Sequence, residues 1–202
     1  MKMLATVGLG ILLLIQPVCV TAAEPGDQVR QTTDKLHAIL KDPRLKEKDN
    51  KDERREKLKK VIYERFDFTE MAKRSLGAEW RRHTPEEQKE FVKLFTDLLE
   101  QAYLDQIESY SGEKIQFLKE QKDDNHADVA TKVVDNKGQE YSVNYRLHDT
   151  NGEWKVYDVV IEDISLVNNY RSQFNRVLAK GSYEDLVNAM KGKKLSAAAK
   201  KG

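Results

Sequence analysis

Up to Gly112 the apolar residues of this chain return every three or four positions; beyond it they return every second one. That change of period constrains the fold most, because a 3.6-residue repeat is not stable as a strand, nor a two-residue repeat as a helix. The later half reads as four strands, Lys114–Glu120, Ala127–Asp135, Gln139–His148 and Glu153–Asp163. Their links, "KDDN", "NKG" and "TNG", are too short for parallel crossovers and predict antiparallel hairpins. The third strand alternates cleanly, with Tyr141, Val143, Tyr145 and Leu147 on one side and Ser142, Asn144, Arg146 and His148 on the other. The fourth, in "WKVYDVVIEDIS", does not. Strict alternation puts Trp154, Val156, Asp158 and Val160 on one face and Tyr157, Val159 and Ile161 on the other. Two apolar faces predict a strand covered on both sides.

Helices precede and follow this sheet. Asp27–Lys41 carries Val29, Thr33, Leu36 and Leu40 at near-helical spacing and stops before Pro43. Lys51–Phe66 turns Leu58, Val61, Ile62 and Phe66 inward and a dense charged face outward. Asp67–Leu76 starts at a capping aspartate with Glu70 three residues on, and Gly77 ends it. Thr84–Ser111 is the clearest helix: Thr84 caps it, Pro85 opens it, and Glu86 and Glu87 complement its dipole. Its stripe of Phe91, Leu94, Phe95, Leu98, Ala102 and Ile107 is widened by Val92, Leu99 and Tyr103, which predicts deep packing. Two helices near Leu166–Ala179 and Tyr183–Met190 close the chain. Helices, a meander, then helices define an α+β fold, with helices held against the concave face of a curved antiparallel sheet.

The N-terminus has the plan of a secretory signal peptide: Lys2, an apolar run from Leu4 to Ile15, Pro17, and the small residues Ala22-Ala23 as a cleavage site. The run is short for a membrane span of roughly 20 residues. An uncleaved anchor and a lipoprotein lipidated at Cys19 are the alternatives, although Gln16-Pro17-Val18 is not the small-residue lead such a cysteine takes. Cleavage at residue 22 or 23 removes the only cysteine, so no disulfide or thiol chemistry is expected. Loss of Lys2 leaves 34 basic against 34 acidic residues, a balance that favours no nucleic acid.

Catalytic patterns are missing. His37, His83, His126 and His148 have no partner at metal-ligand spacing, and no phosphate-binding glycine loop or nucleophile elbow occurs. Asp158, in an otherwise apolar strand, is the one candidate general base. A structural bond from it to a neighbouring helix end is the competing expectation. The stretch "RREKLKK" is interleaved with acids and reads as a solvated helix face.

Two segments resemble the MlaC family of periplasmic phospholipid-binding proteins, also called the toluene-tolerance family. They are "RFDFTEMAKRSLGAEWRRHTPEEQKEFVKLFTDLLEQAY" at 65–103 and "GEWKVYDVVIEDISLVNNYRSQFNRVLAKGSYEDLV" at 152–187. In the second, Trp154, Tyr157-Asp158, the turn Glu162-Asp163-Ile164-Ser165 and Gly181 follow the family pattern. The resemblance spans Asp27 to Lys191. It implies a signal peptide at 1–23, one lipid-binding domain at 24–192 and a basic disordered tail at 193–202. It also implies an NTF2-like related fold enclosing an apolar cavity that holds acyl tails while the headgroup stays in water. Such a carrier is a periplasmic monomer, with phospholipid as cargo and no metal or cofactor. It passes lipid between an inner-membrane ABC transporter complex with its MCE-domain protein and an outer-membrane lipoprotein–porin complex, maintaining outer-membrane asymmetry. A two-tail cavity is expected near 1,000 Å³, roughly the top of the usual pocket range.

Strand parity and the helix stripe nominate Leu98, Tyr103, Ile107, Phe117, Val133, Tyr141, Val143, Tyr145, Val159 and Ile161 as tail contacts, and the family's turn adds Ile164. Two other functions compete. A small-molecule enzyme on an NTF2-like scaffold requires Asp158 or a histidine to point inward. An interaction module requires a filled core.

Overall fold

Three of the four prolines open helices, at the first turn, where a missing N–H removes no helical bond. They begin α1 (Pro25–Lys41), α2 (Pro43–Lys46) and α5 (Pro85–Glu108). This computed structural model describes residues 23–110, 112–192 and 195. The expected signal peptide therefore lies, except for Ala23, outside the described residues, as does the expected tail except for Leu195. Side-chain caps start most of the remaining helices. Asp67 accepts from the Glu70 N–H at 2.8 Å to begin α4 (Phe68–Leu76). Ser165 and Ser182 do the same for α6 (Leu166–Leu178) and α7 (Tyr183–Lys191). The Thr84–Glu87 capping box is closed, whereas Glu70 turns to Lys73 and Arg74 instead of back to Asp67. No side chain caps α3 (Lys51–Arg65), where only Leu58 is fully buried.

The sheet runs in chain order, β1 (Lys114–Asp123), β2 (His126–Val134), β3 (Glu140–Thr150), β4 (Glu153–Ile161) and β5 (Ile164–Ser165), antiparallel throughout. It is open, with β1 as a free edge. The two-residue β5 was not expected. It forms because Glu162 and Asp163 take left-handed backbone, φ 47° and 63°, and fold the end of the fourth strand into a tight hairpin.

Register corrects the parity of β4. Arg146 pairs with Asp158, but Leu147 pairs with Val156, so Tyr157 is an extra, bulged residue. Trp154 and Val156 therefore share a face with Val159 and Ile161, and Asp158 and Val160 lie on the opposite face. The expected grouping of Trp154 and Val156 with Asp158 and Val160 fails because alternation is interrupted once. The strand is nevertheless covered on both sides, with Asp158 and Val160 buried on one face and Trp154, Val156 and Val159 on the other.

Three apolar clusters result. The inner sheet face gathers Val29, Ala127, Val129, Leu147, Trp154, Val156, Val159 and Leu166. The helical core joins α4, α5, α6 and α7 around Phe91, Phe95, Tyr170 and Phe174, and Leu195 packs onto it. A small third cluster, Leu40, Leu58 and Leu104, ties α1 and α3 to the end of α5. On the outer face Tyr157 meets the helical core, with the Arg74 guanidinium 4.1 Å from its ring centre.

Asp158 joins the two halves. Only 2% exposed, it accepts from Ser165 Oγ at 2.6 Å, Arg146 Nη1 at 3.2 Å and the Val167 N–H at 3.1 Å. It therefore fixes the start of α6 to the sheet. Asp158→Ala would leave a buried N–H and hydroxyl unpaired, and each such group costs roughly 1–3 kcal/mol. Chemical denaturation should show a loss of about 3 kcal/mol; a loss below about 1 kcal/mol would contradict this anchoring role.

Candidate functional site

Rungs of the sheet order the inner face from closed to open. Across β2, β3 and β4 the innermost rung, Ala127–Leu147–Val156, is fully buried, whereas Lys122 and Glu120 of β1, which pair with Ala127 and Val129, are exposed. The next, Val129–Tyr145–Val159, is buried except at Tyr145, and the third, Phe117–Thr131–Val143–Ile161, is buried only at Thr131. At the last rung Ile115 and Val133 are half-buried and Tyr141 is 40% exposed. Ile164, paired with Ile161, is likewise 40% exposed. The face is thus a slot, sealed at the Trp154 end and open at Tyr141 and Ile164. Val29 of α1, Tyr103 of α5 and Phe66 form its other walls.

Tyr145 stands at the middle of this face. Protein encloses it so deeply that desolvation pushes its phenol up to about 12. The residue is half-buried, and its hydroxyl has no partner among the described residues. Two other clefts occur, of about 650 Å³ between α3 and α5 and about 560 Å³ beside α6 and α7. The first is lined chiefly by charged groups such as Arg55, Lys59 and Glu100, and the second by Arg176, Lys180 and Asp185 among others. Neither matches the expected 1,000 Å³ apolar cavity.

Of the nominated residues, Tyr103, Phe117, Val143, Tyr145, Val159 and Ile161 converge on the slot. Val133, Tyr141 and Ile164 stand at its open end. Leu98 does not reach it, being packed in the helical core, and Ile107 belongs to the third cluster. The stripe of α5 is wide because that helix serves three clusters in turn, and only Tyr103 faces both the sheet and the helical core. Trp154 and Val156 were missed because of the bulge. The pair Tyr157-Asp158 was the available signal, since an aspartate on the apolar parity is relieved by one inserted residue.

Asp158 faces away from the slot and is spent on Ser165, Val167 and Arg146, which is the helix-end bond expected of it rather than the position of a base. The histidines fall at three places, with His126 and His148 paired across β2 and β3. His37 stacks on Tyr110, His83 on Tyr183, and His126 and His148 flank Tyr157, with His148 Nε2 3.0 Å from Asp67 Oδ2. Among the described residues no three metal-binding side chains converge, and no helix is long and apolar enough to cross a membrane.

A family model described as MlaC protein matches residues 30–192. The chain belongs to the MlaC family. Among its MlaC relatives is toluene tolerance protein ttg2D of Pseudomonas putida, 31% identical over 170 residues, covering 83% of this chain and 79% of the relative. Another is the intermembrane phospholipid transport system binding protein MlaC of Haemophilus influenzae, 24% identical over 182 residues, covering 88% and 85%. The fold matches the phospholipid-binding protein of Ralstonia solanacearum, solved in complex with a phospholipid. That match has a TM-score of 0.74 and 25% identity, covering 85% of this chain and 97% of that one. The MlaC assignment agrees with the α+β architecture of helices at both ends and an unclosed antiparallel sheet.

Tyr145 yields a test of the slot's depth. A phenol whose folded pKa exceeds the ordinary 10.0 supports stability fully below about pH 10. That support is lost as pH rises toward 12, because the unfolded chain ionises first. Between these values the wild type should lose stability relative to Tyr145→Phe, measured by denaturant titration at each pH. A flat difference would mean that Tyr145 is not enclosed.

Proposed function

We propose that this chain is a periplasmic phospholipid carrier that holds acyl tails in the slot between the inner sheet face and helices α1 and α5. The observation that carries this is the apolar inner face itself, whose burial falls steadily from the Trp154 end toward Tyr141 and Ile164. Support comes from the related Ralstonia protein, solved with a phospholipid, and from the Haemophilus relative named for intermembrane phospholipid transport. Phe117, Val143, Tyr145, Val159, Ile161 and Tyr103 make the tail contacts, and Val133, Tyr141 and Ile164 form the rim.

Residues 1–23 act as the export signal, 24–192 as the carrier domain and 193–202 as a basic tail. The chain works as a monomer between an inner-membrane ABC transporter complex with its MCE-domain protein and an outer-membrane lipoprotein–porin complex. Energetics explain why partners are needed. A buried methylene is worth about 0.8 kcal/mol against water, so a tail of ~15 methylenes holds by roughly 12 kcal/mol and leaves unaided only very slowly. Exchange between slot and bilayer swaps one apolar medium for another, with a small net difference. Directional work then belongs to the ATPase, and docking parts the walls of the slot.

Mass spectrometry of an organic extract from natively purified protein should find phospholipid. Val143→Glu places a charge against the tails and should abolish co-purification while circular dichroism shows near-normal helix. Lipid retained by this variant would mean that the tails lie elsewhere.

A further inference from the structure

We propose that Arg30 recognises the phosphate of a lipid seated in the slot and so makes the carrier prefer phospholipid over phosphate-free glycerides. Arg30, exposed on α1, sits over Phe117, its guanidinium carbon 3.9 Å from the ring centre. Phe117 belongs to the third rung, one step inside the open end. Stacking uses the face of the guanidinium and leaves its in-plane N–H groups pointing outward, the geometry that meets a phosphate with paired bonds.

Among the described residues those donors have no hydrogen-bond or ion-pair partner. Asp27 and Asp34 lie at i−3 and i+4 on the same helix, within reach of an ordinary helical ion pair, and neither pairs with Arg30. The other cations by the inner face are already engaged. Lys122, 5.4 Å from the Trp154 ring centre, pairs with Glu24 at 3.6 Å. Arg65 donates to Thr32, Gln28 and the Trp154 carbonyl. A guanidinium held over an aromatic ring at the mouth of a slot, with two nearby carboxylates passed over, fits an anionic group carried by the slot's own cargo.

This role rests on the carrier function proposed above, and the test separates the two. Mature wild type, Arg30→Gln and Arg30→Lys are each loaded from vesicles holding equal phosphatidylglycerol and diacylglycerol, and bound lipid is quantified by mass spectrometry. A charge-assisted bond lost from Arg30→Gln should lower the phospholipid-to-diacylglycerol ratio about tenfold, with total bound lipid little changed. Arg30→Lys, which keeps charge without the planar fork, should fall between. Equal ratios in wild type and Arg30→Gln would overturn the role of Arg30 and leave the carrier intact. No bound lipid on the wild type would overturn both. Excess inorganic phosphate should leave the ratio unchanged; if it reduces the wild-type ratio to that of Arg30→Gln, the site serves free phosphate and the headgroup assignment falls.

Discussion

One inserted residue governs the architecture. The bulge at Tyr157 lets Trp154, Val156, Val159 and Ile161 share a face although they do not alternate in sequence. The same insertion turns Tyr157 and Asp158 outward, where Tyr157 meets the helical core and Asp158 secures the start of α6. The apolar face of β4 and the junction between sheet and helices thus depend on this one departure from regular pairing, while a second register shift, in β1 between Phe117 and Lys119, falls beside Phe117. Bulges bend and twist a strand locally, and here the bend falls where the sheet meets α4 and α6.

Polarity is divided along the same line. Inside the slot, hydroxyl groups are few, and Thr131 is spent on the Val143 carbonyl, leaving Tyr145 as the open donor. Charges that border the inner face are engaged at the sealed end, where Arg65 is held by α1 and β4 although burial lowers its proton affinity. Burial then declines rung by rung toward Tyr141. Such a gradient suits an amphiphile, whose hydrocarbon prefers the dry end and whose polar group prefers the wet one.

Much of this was legible in the residues because local signals agreed. Proline and threonine at helix starts, and turn residues between alternating runs, placed every long element within a few positions. β3 could be assigned to its faces directly, since Tyr141 through Leu147 alternate without exception. β4 could not, because alternation assumes unbroken pairing and a bulge is a property of two strands together. Leu98 and Ile107 were misplaced for a related reason. A helical stripe shows which side of α5 is apolar, but not which of three neighbours covers each turn. The turn at Glu162-Asp163 has no glycine and was legible only through the family resemblance, and the two-residue β5 beyond it stayed hidden.

The central claim is that hydrocarbon lies against the apolar inner face of the sheet around Tyr145. Photocrosslinking tests it most directly: the protein is loaded with a phospholipid carrying a diazirine near the end of one tail, irradiated, and the modified residues are mapped by peptide sequencing. The account predicts labels on Tyr145, Val159 and their slot neighbours, with none in the helical core around Phe91 and Phe95. Labels confined to that core or to the charged cleft between α3 and α5 would contradict it.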